Sequence, residues 1–147
     1  MAEQPTTGGT AAEDPPSGTR VRKGPGRVLI GVYVLFAIAA SARAGVQIAT
    51  KFSDAPVAYL LSAFAALVYL VAAVGLSVGG PVGRRIAYTC CTVELVGVLG
   101  IGTASLAISA AFPDETVWSG YGSGYGFIPL VLPVLGLLWL RRTRARR

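Results

Sequence analysis

Two ionisable side chains lie inside long apolar segments, and they are the residues with the clearest potential for chemistry: Arg43 and Glu94. A charge at the centre of a bilayer costs roughly 2.5–3.5 kcal/mol or more, so such residues normally face the protein interior and find a partner there. A buried carboxyl group can exchange a proton or a cation, and a guanidinium presents a fixed fork of donors to an anion. Gln47 lies one helical turn after Arg43 on the same face. We therefore take Arg43, Gln47 and Glu94 as a candidate intramembrane polar site.

The sequence leaves the partners of these residues open. A pair between Arg43 and Glu94 would fix the register of two helices, although antiparallel helices would separate the two Cα depths by ~10 Å at 1.5 Å per residue. Alternatively, Glu94 pairs with an arginine at residues 84–85, and Arg43 meets the tyrosines and loop carbonyls of residues 121–126. In either arrangement Arg43 and Glu94 would have a structural role. In a substrate or proton site, by contrast, Glu94 would be the carboxylate that exchanges a proton or a cation.

Other catalytic chemistry has little support in the composition. The chain has no histidine, which excludes imidazole metal sites and histidine-based triads. Cys90 and Cys91 are adjacent, unlike the C-x-x-C spacing of thioredoxin-like proteins, and two thiols with one carboxylate are a poor zinc site. We predict no catalytic residues, no cofactor and no metal, and hence no enzyme. A membrane-embedded enzyme that uses Glu94, Arg43 and tyrosines is a third possibility.

Aromatic residues accompany glycines just before the last apolar segment. Trp118, Tyr121 and Tyr125 lie in a run that also contains several glycines. Trp and Tyr are enriched where a membrane protein meets the bilayer–water boundary. We predict that these three residues form an outer-loop contact surface.

The elements that must position these residues are apolar stretches separated by short loops. They cover residues 28–50, 57–78, 86–111 and 121–140, and each approaches the ~20 residues that an α-helix needs to cross a bilayer. The chain is 53% hydrophobic and only 14% charged, against about 25% charged in soluble domains. The predicted fold is therefore all-α: an integral membrane up-down-up-down four-helix bundle.

The last of these spans is irregular. Residues 127–140 would reach only about 21 Å as a helix, so the span must include the glycine-rich residues 120–126. Glycine is a poor helix former, and irregular backbone at membrane depth requires burial in protein or a water-filled cavity. We expect this segment either to enter the outer leaflet against the other helices or to lie where the bilayer thins.

Basic residues are distributed asymmetrically. All except Arg43 and Lys51 lie before the first span, between the second and third, or after the fourth. These segments share one side of a four-span topology, so the positive-inside rule predicts that both termini are cytoplasmic. We expect the membrane to be the plasma membrane. The same distribution argues against nucleic-acid binding. We expect a disordered tail at residues 1–27, basic near the membrane, a transmembrane domain at residues 28–140, and a basic tail at residues 141–147.

A cleavable signal peptide is an alternative for the first span. A basic region precedes an apolar run, and Ala42-Arg43-Ala44 imitates the small-residue cleavage pattern. The apolar character resumes after Gly45, and the basic region would be unusually long. We therefore treat the segment as a true span.

Small residues recur at helical spacing within the spans. They predict close helix packing, with a homodimer seam as the alternative. The second span should end at residues 79–81, where a glycine cap is followed by proline. The predicted small-residue faces are Ala37, Ser41, Gly45 and Ala49 in the first helix; Ala58, Ser62, Ala66 and Tyr69 or Ala73 in the second; and Gly97, Gly100 and Ala104 in the third.

The chain resembles small integral membrane proteins of actinobacteria. The resemblance lies in composition and topology, with Ala/Gly/Val/Leu-rich helices, a Pro/Thr/Gly-rich beginning, and an arginine-rich end at residues 141–147. Most members of that class have no assigned function, and no motif transfers residue roles. Besides the lipid bilayer, we expect a membrane-protein partner or a homodimer. The leading functional prediction is an accessory or interaction subunit of a membrane complex, and the alternative is a small proton- or cation-coupled transporter that uses Glu94.

Overall fold

The computed structural model describes residues 24–145, and this part of the chain is helical apart from short connections. The all-α prediction is thus confirmed for these residues. The predictions for residues 1–23 and 146–147 lie outside the described part. The elements are α1 (Pro25–Lys51), α2 (Pro56–Val78), α3 (Gly80–Ala107), a first 3₁₀ helix (Ser109–Ala111), a second 3₁₀ helix (Ser119–Tyr125) and α4 (Ile128–Ala145).

Three of the helices, α1, α2 and α3, are long and apolar enough to cross a membrane. A fourth span is obtained if the second 3₁₀ helix and α4, which are bent by 99° relative to each other, count as one unit. The lengths agree with the ~20 residues that a bilayer requires. The chain therefore has the helices of a membrane protein.

Consecutive helices pack against each other, and contacts at their ends define two poles. Gly26 at the start of α1 lies against Trp139 near the end of α4, at what we call the terminal pole. Arg43 in α1 is hydrogen-bonded to Tyr125, which marks the opposite end, the loop pole. Between the poles lies a core of alanines and aromatic rings to which all four α-helices contribute.

The junction between α2 and α3 is tighter than predicted. The helix α2 ends at Val78, as expected, but α3 begins at Gly80 instead of residue 86. Gly79 has φ +66°, a conformation that glycine adopts without steric cost. Pro81 falls in the first turn of α3, where its missing N–H is not needed for a helical hydrogen bond. Residues 84–85 consequently lie on a helix and not in a loop.

The small-residue predictions have a mixed outcome. In α2, Ala58, Ser62, Ala66, Tyr69 and Ala73 are all buried, as expected.

In α1 only Ala37 of the predicted face is buried. Its neighbours in the core are Ala40 and Ala44, whereas Ser41, Gly45 and Ala49 are exposed. The predicted face was wrong because four-residue spacing alone does not fix which side of a long apolar helix meets its neighbours.

In α3, Gly97 and Gly100 behave differently. A Cβ atom at Gly97 would lie 2.6 Å from the Trp118 ring, whereas one at Gly100 would meet nothing within 4 Å. Gly97 thus permits a close approach to the indole, and Gly100 does not face a neighbour.

The irregular span predicted over residues 121–140 consists of two elements, which together can count as one bent span. Gly120, Tyr121 and Gly122 all have positive φ, and a further positive φ at Gly126 and Phe127 precedes α4. The chain therefore turns sharply before α4 begins at Ile128. Gly122 is buried against Pro129, so the segment does pack on the helices.

The helix α4 also extends further than predicted, to Ala145. Pro133 lies inside it without ending it. Arg141, Arg142 and Arg144 accordingly belong to this helix.

Candidate functional site

Glu94 is fully buried in the middle of α3. Its side chain has no exposed surface. Ala87, Cys91 and Val98 are buried on the same helix at spacings of seven, three and four residues from Glu94, so they share the face that points into the core. The apolar surroundings of this face make Glu94 an isolated carboxyl group among hydrocarbon and aromatic side chains.

A tyrosine from α1 is the hydrogen-bond partner of this carboxyl group. The Tyr33 hydroxyl donates to Glu94 Oε2 at 3.0 Å and lies 3.2 Å from Cys91 Sγ. The other carboxyl oxygen, Oε1, is buried without a partner among the described residues. We call Tyr33, Cys91, Glu94 and the adjoining Gly136 the Glu94 cluster.

Gly136 closes the cluster from the side of α4. A Cβ atom at this position would lie 2.7 Å from Cys91 Sγ and 3.4 Å from the Tyr33 hydroxyl oxygen. Real Cβ atoms do not approach other atoms as closely as the first of these distances, so only a glycine fits without movement of the neighbours. The Cys91 side chain of α3, the Tyr33 phenol of α1 and the backbone of α4 are therefore in close contact.

Aromatic rings extend the cluster towards the loop pole. The Tyr33 and Tyr69 rings have centroids 6.2 Å apart, and the Trp118 indole N–H donates to the Tyr69 hydroxyl at 3.3 Å. Tyr and Trp normally find a partner for their polar atom when buried. The result is a chain of aromatic contacts from Tyr33, the partner of Glu94, through Tyr69 to Trp118.

This geometry limits the chemistry of Glu94. No basic side chain of residues 24–145 lies within ion-pair distance of it, so an ionised form would lack a counter-charge there. The carboxyl group can accept the Tyr33 hydrogen bond, and it can bind or release a proton. The predicted pair with Arg43 is absent from the described residues, as is the alternative pair with Arg84 or Arg85.

Of the loop partners that the second alternative named for Arg43, the structure shows Tyr125, whereas the carbonyl group that Arg43 reaches belongs to Glu115 and not to residues 121–126. Arg43 Nη1 donates to the Tyr125 hydroxyl at 2.8 Å, and the guanidinium carbon lies 5.7 Å from the centroid of the same ring. Nη2 reaches the Glu115 carbonyl oxygen at 3.5 Å. We call Arg43, Tyr125 and Glu115 the Arg43 cluster.

Gln47 joins neither cluster. Its side chain is half-buried, and its Oε1 has no hydrogen-bond partner among the described residues. Arg43, Gln47 and Glu94 are therefore three separate positions and not one site.

Of the three residues predicted to form an outer-loop surface, Trp118 is buried. Trp118 is only 2% exposed, because its indole packs against Gly97 and Tyr69. Tyr121 and Tyr125 are half-buried, and the Tyr121 hydroxyl lies 2.9 Å from Thr103 Oγ1. The loop aromatics thus attach the second 3₁₀ helix to α1 and α3.

Two surface grooves lie at opposite poles, and Glu94 lines neither. The first is at the terminal pole between α3 and α4, and the second at the loop pole. The second is lined mainly by serines and by Gly120, whose N–H donates to Ser105 Oγ at 2.9 Å. Among the residues described, no group of three or more potential metal ligands occurs.

Sequence reasoning missed Tyr33 and Tyr69. A signal was present: Tyr69 stands in the middle of an apolar stretch, far from the ends where interfacial tyrosines normally lie, and Tyr33 lies more than one helical turn inside another. A phenol hydroxyl at that depth needs a partner within the protein. The partners themselves depend on the packing of α1, α2 and α3.

Comparison with known proteins identifies no relative: no family model, no curated protein and no solved structure matches the chain.

Proposed function

We propose that this chain is a plasma-membrane protein that serves as a non-enzymatic accessory or interaction subunit of a membrane complex. The proposal includes an up-down-up-down four-helix bundle with both termini in the cytoplasm. It also includes the resemblance to actinobacterial membrane proteins, which rests on composition and topology alone.

The charge distribution supports the orientation. The terminal pole carries Arg27, residues 84–85 and the arginines of α4, without an acidic residue in the described range. The acidic residues Asp54, Asp114 and Glu115 lie in the connections at the loop pole. The positive-inside rule then places the terminal pole in the cytoplasm.

One observation carries the interaction role: the small-residue face of α1 that no other part of residues 24–145 covers. Ser41, Gly45 and Ala49 are exposed, and a Cβ atom at Gly45 would meet nothing within 4 Å. Small residues at four-residue spacing allow a second membrane helix to approach closely. A partner protein is the favoured occupant, and a second copy of the chain is the alternative.

Cysteine cross-linking in native membranes tests this role. Gly45→Cys should form a specific cross-linked product, whereas Val46→Cys, which is also exposed but on an adjacent face, should not. The native thiols Cys90 and Cys91 are buried and form a common background. Native mass spectrometry of the purified protein then identifies the product as a complex with a second protein or as a homodimer. Equal cross-linking at both positions, or none at Gly45→Cys, would refute the proposal.

The second candidate function is a small proton- or cation-coupled transporter that works through Glu94. It is favoured by the unpartnered, buried Oε1 of that residue. Purified protein in vesicles should then move protons or cations in a pH-dependent manner, and Glu94→Gln should abolish this movement. Gln47→Leu is the control, because the Gln47 amide oxygen also lacks a partner among the described residues but lies outside the Glu94 cluster. Transport that persists in Glu94→Gln would eliminate this candidate.

A further inference from the structure

The groove at the terminal pole is a basic cleft between two helices. It is lined by Pro81, Arg84, Arg85, Tyr88 and Thr89 of α3 and by Arg144 of α4, and its volume is about 480 Å³. The α3 residues lie at helical spacings that place them on one face. The lining therefore contains three guanidinium groups, one aliphatic hydroxyl group and no carboxylate.

Arg84 holds the two walls of this cleft together. Its guanidinium donates to the Leu140 carbonyl oxygen and, at 3.2 Å, to Thr143 Oγ1. It thereby connects the last turns of α4 to the first turns of α3. The spacing between the walls is set by this connection, so the cleft exists before any ligand binds.

Arg85 and Arg144 differ from Arg84 because both are exposed. They lie on opposite walls and are available to an external anion. Arginine binds phosphate oxygens with parallel N–H donors, and the Thr89 hydroxyl can donate a further hydrogen bond. Tyr88, 43% exposed on the same face, adds a ring of the kind found at the headgroup level of a bilayer.

We propose that this cleft binds the phosphate headgroup of an anionic phospholipid of the cytoplasmic leaflet. The inference rests on the membrane orientation proposed above and not on the existence of a partner protein. Basic pockets between transmembrane helices on the cytoplasmic side are suited to such headgroups. The shared chemistry is a phosphate anion, and the lipid is favoured over free phosphate because Tyr88 and the apolar helix surfaces adjoin the cleft.

Native mass spectrometry of the full chain in mild detergent tests the proposal. Phosphatidylglycerol and phosphatidylcholine with identical acyl chains are titrated separately. The anionic lipid should bind more tightly, and Arg85→Gln/Arg144→Gln should weaken its binding roughly tenfold or more, because both substitutions remove guanidinium groups that would donate directly to the phosphate in the cleft. The matched control is Arg141→Gln/Arg142→Gln, which removes the same charge from α4 outside the cleft and should change binding by about twofold at most.

The outcomes separate the sources of the anion. Equal weakening in the two double variants would mean diffuse charge attraction and would overturn a specific cleft, as would equal binding of both lipids to the unmodified chain. Displacement of the lipid by ammonium phosphate at equal concentration would assign the cleft to free phosphate instead. Thr89→Val, which retains every charge, should produce a smaller loss than the arginine variants and provides a second test within the cleft. None of these results depends on cross-linking at Gly45, so the two proposals fail independently.

Discussion

The Glu94 cluster and the Arg43 cluster each contain an ionisable residue in an apolar helix, but the two residues differ in burial and in their hydrogen-bond partners. Glu94 has one hydrogen bond, from a tyrosine on another helix, and no contact with solvent. Arg43 is half-buried and has a phenol, a ring face and a loop carbonyl as neighbours. The lesson is that position along the helix determines which partners are possible.

The cause lies in the backbone near each residue. Close to the loop pole, the connection between α3 and α4 supplies carbonyl groups and polar side chains, so a guanidinium finds several acceptors. In the middle of the helices every backbone group is already used in the helix itself. Glu94 can therefore be satisfied only by a side chain, and a single phenol leaves Oε1 without a partner among the described residues.

Overpacking the Glu94 cluster should have the largest effect. In Gly136→Val the new Cβ atom would lie only 2.7 Å from Cys91 Sγ, and its two methyl groups would need further space. The variant should therefore lower the free energy of unfolding by about 2 kcal/mol. The measurement is unfolding by titration with a denaturing detergent, monitored by circular dichroism. Gly100→Val, with open space at its Cβ, is the control. Equal losses in the two variants would show that the cluster is not tightly packed.

Removing the Tyr33 hydroxyl should have an intermediate effect. Tyr33→Phe leaves Glu94 without its donor and should cost about 1 kcal/mol of unfolding free energy, within the range for side-chain hydrogen bonds in membrane proteins. In a Glu94→Leu background the same substitution should cost close to nothing. A double-mutant cycle measures this coupling. If the cost is the same in both backgrounds, the hydrogen bond does not stabilise the fold.

Changes in the Arg43 cluster should have the smallest effect. Arg43→Gln should cost about 0.5 kcal/mol, because a partly exposed arginine gains little from one phenol and one ring face. Tyr125→Phe should cost less, and the two substitutions should not be additive. Lys51→Gln, at the exposed end of the same helix, serves as the control. A larger loss at Arg43 than at Tyr33 would reverse the comparison between the two clusters.

Much of the fold could be predicted from the sequence because apolar runs of the required length leave few choices. The boundaries of α1 and α2 were predicted to within a few residues, and the glycine at the end of α2 has the expected positive φ. The start of α3 was missed because Pro81 was interpreted as a helix breaker when its position after Gly80 suits the first turn. The irregularity of the final span was expected from its glycines, but its division into two bent elements was not, because hydropathy does not detect the left-handed backbone at Gly120, Gly122 and Gly126.

The candidate site was less predictable. Arg43 and Glu94 were recognisable as unusual residues because charge in an apolar segment is costly wherever the helix points. Trp118 was assigned to a surface because Trp and Tyr are enriched at the bilayer–water boundary, yet Gly97 leaves a gap on α3 that accepts the indole. A contact between a ring and a glycine that is distant in the sequence produces no local sequence pattern from which it could be predicted.

The sequence by itself determined that the chain is helical and apolar enough for a membrane, and that its arginines gather near the segments at one pole. These properties follow from composition and length, which do not depend on how the helices turn. Only the tertiary structure decided that the Tyr33 hydroxyl donates to Glu94 and that the Tyr125 hydroxyl accepts from Arg43. It also decided that Ser41 and Gly45 of α1 are exposed. All three results depend on how each helix is rotated about its own axis. In a chain this apolar, that rotation is set by side-chain packing between helices and not by the contrast between polar and apolar faces.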